Sequence, residues 1–329
     1  MTAMMATTAG PATEATGRVV VVGSGIVGRK VVRLLGSTQQ VVVRRSTDFT
    51  ADVSGDVEAG DVVVLATAGA HAPVAAQLAR SGVSVVSVAD SLGDIRELLD
   101  LDDHFRAADA TLVVGAAMAP GISGLIARFL ASQLEVCDEI HVAVHATAGP
   151  ACARQHHRAL GGRAFGWHDG AWIERPAGSG RELAWFPEPV GAHDCYRAEL
   201  ADPLLLHRTF PEVARLSARV TATRRDRLTA RLPMLRPPHP EGGVGALRVE
   251  VRGADASGAR VVAIAGVAEF VGAAAGAMAA VAAQAVRHGA FPTGAVVTSD
   301  AGLDTVALLD RIRERGVRLQ EFSGVPQRA

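Results

Sequence analysis

The feature that most constrains this chain is a run of four valines that ends in a glycine-rich turn. Val19-Val20-Val21-Val22 leads directly into Gly23-Ser24-Gly25-Ile26-Val27-Gly28. A continuous β-branched run suits a strand buried on both faces of a parallel sheet. The glycines match G-x-G-x-x-G, and an amphipathic stretch over 26–35 follows them. With 35 glycines in 329 residues the pattern alone carries little weight. Its place between a strand and a helix gives it meaning. There Gly23 permits the tight turn, Gly25 lets a pyrophosphate approach the backbone, and Gly28 lets helix and strand pack closely. The unpaired N–H groups of the helix start face the phosphates. Gly23, Ser24, Gly25, Ile26, Val27 and Gly28 are therefore read as cofactor-binding.

Short apolar runs at 40–43, 61–66, 83–88 and 111–115 alternate with helical patterns at 73–80 and 92–105. That alternation predicts an α/β chain with an N-terminal Rossmann doubly wound parallel sheet. The expected boundaries are a disordered tail at 1–16, the dinucleotide-binding domain at 17–118, and a second α/β substrate and dimerisation domain at 119–329. The C-terminal helix is free to pack back on the first domain. In the second domain we expect helices over 121–134, 271–288 and 305–316, a half-buried strand over 139–146, and a hairpin of 247–252 with 260–268. Residues 149–191 show no long periodic element. The eight arginines between 208 and 236 read mostly as solvated helix positions.

The end of the second strand separates the two nicotinamide cofactors. An NAD site usually carries a carboxylate there for the ribose 2′-hydroxyl. This chain has Arg44-Arg45-Ser46 instead, which suits a 2′-phosphate and favours NADP(H) over NAD(H). Ala66-Thr67-Ala68, after the third strand, is small enough to let a cofactor pass close by.

Composition excludes several function classes. The formal net charge of -1 gives no footprint for nucleic acid or an anionic membrane. Lys30 is the only lysine and sits in a helix unrelated to a plausible active centre, so Schiff-base chemistry is rejected. Cys137, Cys152 and Cys195 form no CxxC pair, and no zinc-site spacing is evident, so no metal is assigned. Residues 1–16 lack the pattern of a signal peptide, which leads us to expect a cytoplasmic protein. Residues 261–286 are apolar and contain Gly272-x-x-x-Gly276, yet alanine, glycine and Glu269 argue for a packed strand and helix over a membrane span.

Further motifs carry a family resemblance. Beside the glycine fingerprint stand Ser87-Val88-Ala89-Asp90 and Gly115-Ala116-Ala117-Met118-Ala119-Pro120-Gly121-Ile122-Ser123-Gly124. Near the end come Gly266, an alanine-rich stretch, Phe291-Pro292-Thr293-Gly294 and Arg315-Gly316-Val317. Together they resemble the saccharopine dehydrogenase-like oxidoreductases, a group that includes saccharopine reductase and carboxynorspermidine dehydrogenase. The resemblance implies a second domain whose sheet mediates dimers. It also implies reversible NADP-dependent reduction of an imine formed from an amine and an oxo acid. The stretch 149–240 departs from that pattern and leaves the substrate open.

Asp90, just past a strand end, is placed to bind an amine or relay a proton; as a structural residue it would cap the helix near Ser91. Met118 and Pro120 are expected beside the nicotinamide, and Gly121 N–H and Arg154 at a substrate carboxylate. His145, His193 and Tyr196 are the remaining proton-donor candidates. These residues describe an NADP-dependent oxidoreductase for a small amino-acid- or oxo-acid-derived substrate, working as a homodimer that shares a sheet through its apolar hairpin. An enoyl or carbonyl reductase on the same scaffold and a non-catalytic NADP-binding redox sensor are the alternatives.

Overall fold

The computed structural model describes residues 17–36, 41–44, 57–234 and 242–322. The first layer begins with β1 (Val19–Val22), α1 (Ile26–Leu35), β2 (Val41–Arg44), β3 (Val62–Leu65), α2 (Ala72–Arg80), β4 (Ser84–Ser87), α3 (Leu92–Leu99), α4 (Asp102–Ala107) and β5 (Thr111–Val114). The chain then runs through α5 (Ile122–Ala131), β6 (Val136–His145), α6 (Pro150–Ala159), β7 (Arg163–His168), β8 (Ala171–Pro176), β9 (Glu182–Trp185), β10 (Ala192–Arg197), α7 (Asp202–Thr209) and β11 (Arg215–Thr221). It closes with α8 (Arg224–Thr229), β12 (Val244–Ala254), β13 (Arg260–Phe270), α9 (Val271–Arg287), β14 (Gly294–Val297), α10 (Thr305–Glu314) and β15 (Leu319–Glu321).

Six parallel strands form the first sheet in the order β14-β5-β4-β3-β1-β2. Its strands are apolar on both sides because helices cover both faces. Val20, Val22, Val63, Leu65 and Val85 pack with Leu78, Ile95 and Phe105 of the helices on one face. Val19, Val21, Val62, Val64 and Val86 pack against α9 on the other. The sixth strand arrives from the far end of the chain: Gly294 pairs with Thr111 and Val297 with Val114. The first layer therefore draws on residues well beyond 118.

The second sheet is mixed, in the order β15-β13-β12-β6-β11-β10-β9, with β7 and β8 branching from β11. The expected hairpin forms, longer than its apolar core suggested, with Val244 opposite Phe270 and Ala254 opposite Arg260. Two stretches differ from the sequence expectation. The segment 149–191 holds α6 and three strands, β7 to β9. The arginine-rich stretch holds a strand: in β11, Leu216, Ala218 and Val220 turn into the core while Arg215, Ser217 and Arg219 face the other side. That side is solvated and paired, with Arg219 2.8 Å from Glu182 and Arg215 3.4 Å from Glu139. The helix expected over 92–105 is two helices, broken between Asp100 and Leu101.

Helix α9 is buried nearly all round, as a helix without a polar face must be. It touches β3, β4 and α1 on one side and β12, β13 and α10 on the other. Gly272 and Gly276 form its groove for α1. A Cβ on Gly272 would collide with Ile26 Cγ2, and one on Gly276 would stand 2.6 Å from the Lys30 Cβ. No helix among the described residues is long and apolar enough to cross a membrane.

Candidate cofactor and substrate cleft

The strand order reverses between β1 and β3, and ligands of open α/β sheets bind beyond the carboxyl ends of the strands at such a point. A cleft of about 900 Å³ opens there. Gly23, Ser24, Gly25, Ile26 and Val27 line it after β1, and Ala66, Thr67, Ala68 and Gly69 after β3. Gly23 has φ +122, a conformation that glycine alone adopts freely, and a Cβ on it would collide with the Ala66 carbonyl oxygen. Gly25 instead faces open space, with nothing within 4 Å of where a Cβ would be. The helix that starts beside it has no side-chain cap and no acidic residue in its first turn, so its N–H groups are open to an anion. Gly28 lies behind the turn, where a Cβ would collide with the Gly23 carbonyl oxygen. It serves packing, not contact.

The loop after β3 is held from below. His71 is buried, its Nδ1 2.8 Å from Ser87 Oγ and its Nε2 3.2 Å from Thr67 Oγ1. Burial pushes the His71 imidazole below its ordinary range. Asp94 accepts hydrogen bonds from His71 N and Ala72 N at 2.9 and 3.0 Å, so it caps α2 although it belongs to α3. The cap of α3 is Ser91, whose side chain accepts from Asp94 N. Asp90 is thereby left free of a capping role.

Asp90 reaches the cleft and meets α6, an element absent from the sequence expectation. Cys152 and His156 are one helical turn apart on that helix. The Cys152 thiol points at Asp90 Oδ2 from 3.9 Å, His156 Nε2 is 3.9 Å from the same sulfur, and Nε2 to Oδ2 is 4.0 Å. Burial raises the Asp90 carboxyl, partly opposed by His156. Burial would push His156 down, but the Cys152 sulfur, with the Asp90 and Asp202 carboxylates, more than offsets it and holds His156 at about 9. Asp202 is buried at the start of α7, accepts from Ser123 Oγ at 2.6 Å, and is pushed by burial to about 6. Sequence reasoning singled out Asp90 but missed Cys152 and His156 as its partners. The signal available was the spacing of four between Cys152 and His156, legible only once 150–159 is seen as a helix.

The other expected site residues divide. Met118 and Arg154 line the cleft, with Arg154 and its neighbour Arg158 on the exposed lip. Five residues are corrected. Pro120 is not among the cleft residues; its ring fills the space beside Gly115, where a Cβ would be 2.8 Å away. Gly121 sits against Ala117, and its carbonyl accepts a 2.7 Å bond from Thr298 Oγ1. His145 and His193 stack on each other, ring centres 4.3 Å apart, beside Phe186. Strand alternation explains this: Val144 lines the cleft, so its neighbour His145 turns to the opposite face. Tyr196 is packed in the core under the Arg227 guanidinium, 4.1 Å above its ring. Arg44 ends β2, paired with Val22; Arg45 and Ser46 lie outside the described residues.

No family model and no curated protein matches the sequence. Solved structures do match the fold. The apo saccharopine dehydrogenase (L-Glu forming) from Saccharomyces cerevisiae superimposes with a TM-score of 0.66 at 14% identity, covering 94% of this chain and 100% of that one. The chain has the saccharopine dehydrogenase fold. A DAP dehydrogenase from C. glutamicum, solved with DAP, superimposes with a TM-score of 0.50 at 16% identity over 91% of this chain and 98% of that one. At such identities the likeness is one of architecture: a Rossmann-like parallel first sheet joined to a mixed second sheet. It agrees with the resemblance carried by the Pro120-Gly121 stretch. What the cleft does must be argued from its own residues.

Proposed function

We propose that this chain is an NADP(H)-dependent oxidoreductase that reversibly reduces the imine or carbonyl group of a small amino-acid- or oxo-acid-derived substrate. One observation carries the reading: a single cleft joins the open helix start at Gly25 to the Asp90–His156 pair. The cleft suits a dinucleotide. Gly25 leaves space where a phosphate can approach, and the first-turn N–H groups of α1 would hold it. Ala66 to Gly69 would pass along the cofactor, with Met118 further in. Bound there, NADP(H) supplies the hydride.

The chain's own residues do the rest. Asp90 and His156 are placed to exchange the proton that the substrate nitrogen or oxygen gains on reduction and loses on oxidation. Arg154 and Arg158 offer guanidinium groups to a substrate carboxylate at the lip. Arg44, at the end of β2, is read as a partner of the 2′-phosphate. The chain works as a homodimer in this reading, with exposed Val244, Val262 and Phe270 of the long hairpin as the apolar contact.

Cofactor choice is tested by fluorescence titration of NADPH and NADH with wild type and Arg44→Asp. NADPH should bind more tightly to wild type, and the preference should shrink in the variant. Equal binding of both cofactors to wild type would overturn the NADP(H) reading. Turnover of amine and oxo-acid pairs with NADPH tests the reaction. No turnover with any pair, while NADPH still binds, would favour the redox sensor. Sedimentation of a monomer at micromolar concentration would remove the dimer.

A further inference from the structure

Asp90, Cys152 and His156 present three different ligand atoms to one point. The sulfur, imidazole nitrogen and carboxylate oxygen stand 3.9, 3.9 and 4.0 Å apart. The centre of a triangle with those sides lies about 2.3 Å from each corner, the usual Zn–S length and a few tenths longer than Zn–N and Zn–O. We propose that these three side chains form a zinc-binding site in the wall of the cleft, with a fourth position open to its interior.

Three further observations favour zinc at this place. Thiolate, imidazole and carboxylate together suit zinc, whereas magnesium and calcium prefer oxygen alone. Two of the ligands lie one turn apart on α6, and a tetrahedral ion needs the three atoms to draw together by roughly half an ångström, within reach of side-chain adjustment. The other two thiols do not compete. Burial pushes Cys137 up to about 11 and Cys195 up to about 12, which disfavours the thiolate a metal needs. Cys152 alone faces the cleft. Three protein ligands with one open position is the arrangement of reactive zinc sites; closed structural sites use four. The proton exchange proposed above belongs to the metal-free chain; zinc bound here would hold Asp90 and His156 as ligands and so inhibit it. The site itself needs no assumption about the reaction.

Cobalt(II) is the probe, because a cobalt–thiolate bond absorbs strongly in the near ultraviolet. Added to the full chain, cobalt should bind at one ion per chain with that band and be displaced by zinc. Cys152→Ser should remove the band, and His156→Ala should weaken binding by more than about a hundredfold, beyond the roughly 10–100-fold loss of a merely supporting residue. Cys137→Ser should leave the band intact, which shows that substitution of a cysteine does not by itself abolish it. No thiolate band in wild type, or an equal band in Cys152→Ser, would overturn the site. The spectrum gives this answer whether or not the chain turns over a substrate.

Discussion

The imidazole Nε2 of His156 lies 4.0 Å from Oδ2 of Asp90, although one residue follows a strand of the first sheet and the other sits on a helix of the second half. That pairing makes the first prediction. A positioned proton donor contributes about 10²- to 10⁴-fold to a rate. Asp90→Asn and His156→Gln should each lower kcat within that range and leave the NADPH dissociation constant within about twofold. Single-turnover kinetics and cofactor titration separate the two. A variant that loses cofactor binding and turnover together would take the pair out of the proton step.

Two glycines of the same turn should behave oppositely. Gly25→Val adds side chain into open space, so its melting temperature should match wild type while NADPH binding falls steeply. Gly28→Ala drives a Cβ against the Gly23 carbonyl, so it should destabilise the fold by about 1–3 kcal/mol. Urea denaturation with and without NADPH checks both. Equal stability loss in the two variants would mean that Gly25 is a packing glycine.

The α1–α9 seam gives a third. Gly272→Val meets the Ile26 side chain at a contact with no spare room, and should cost roughly 1–3 kcal/mol. Gly258→Ala, in a turn with no atom near its Cβ but with φ +82, tests backbone strain instead, and should cost about 1 kcal/mol. A smaller loss at Gly272 than at Gly258 would show that the helices separate easily.

His145 supplies a pH dependence. Burial, with the neighbouring His193 ring, depresses its pKa to about 4. A depressed folded-state pKa means that the neutral ring's contribution is present above the ordinary histidine range near 6.5. It is lost as pH falls from there towards 4. For a partly exposed ring this is on the order of 1–3 kcal/mol. The urea midpoint of wild type should fall across that window more steeply than that of His145→Gln. Parallel curves would show that the ring titrates freely.

Much of the first sheet was legible because its strands are unbroken valine runs and its glycine turn has one mechanical setting. Helix α1 falls on the expected residues. Strand β14 was not legible. Gly-Ala-Val-Val is too short to carry a period, and its partner β5 is remote in sequence. Strand β11 alternates cleanly, yet its outward arginines resemble a solvated helix face when only charge is weighed. The site was half legible. Asp90 stands out by its place after a strand, but Cys152 and His156 lie in a polar helix bounded by Gly149 and Leu160, inside a stretch whose glycines and prolines suggest loop. His145 and His193 drew notice by type; strand alternation sent them to the far face.

Helix α9 and strand β14 complete a sheet that began near residue 19. During synthesis the N-terminal strands therefore emerge long before the elements that cover one of their faces and close one of their edges. The usual order, with the first domain finished before the second is made, is not open to this chain. A fragment ending near residue 118 would expose its valine face to water and its β5 edge to any passing strand. Its nucleotide turn would exist in sequence well before there was a folded cleft to bind with.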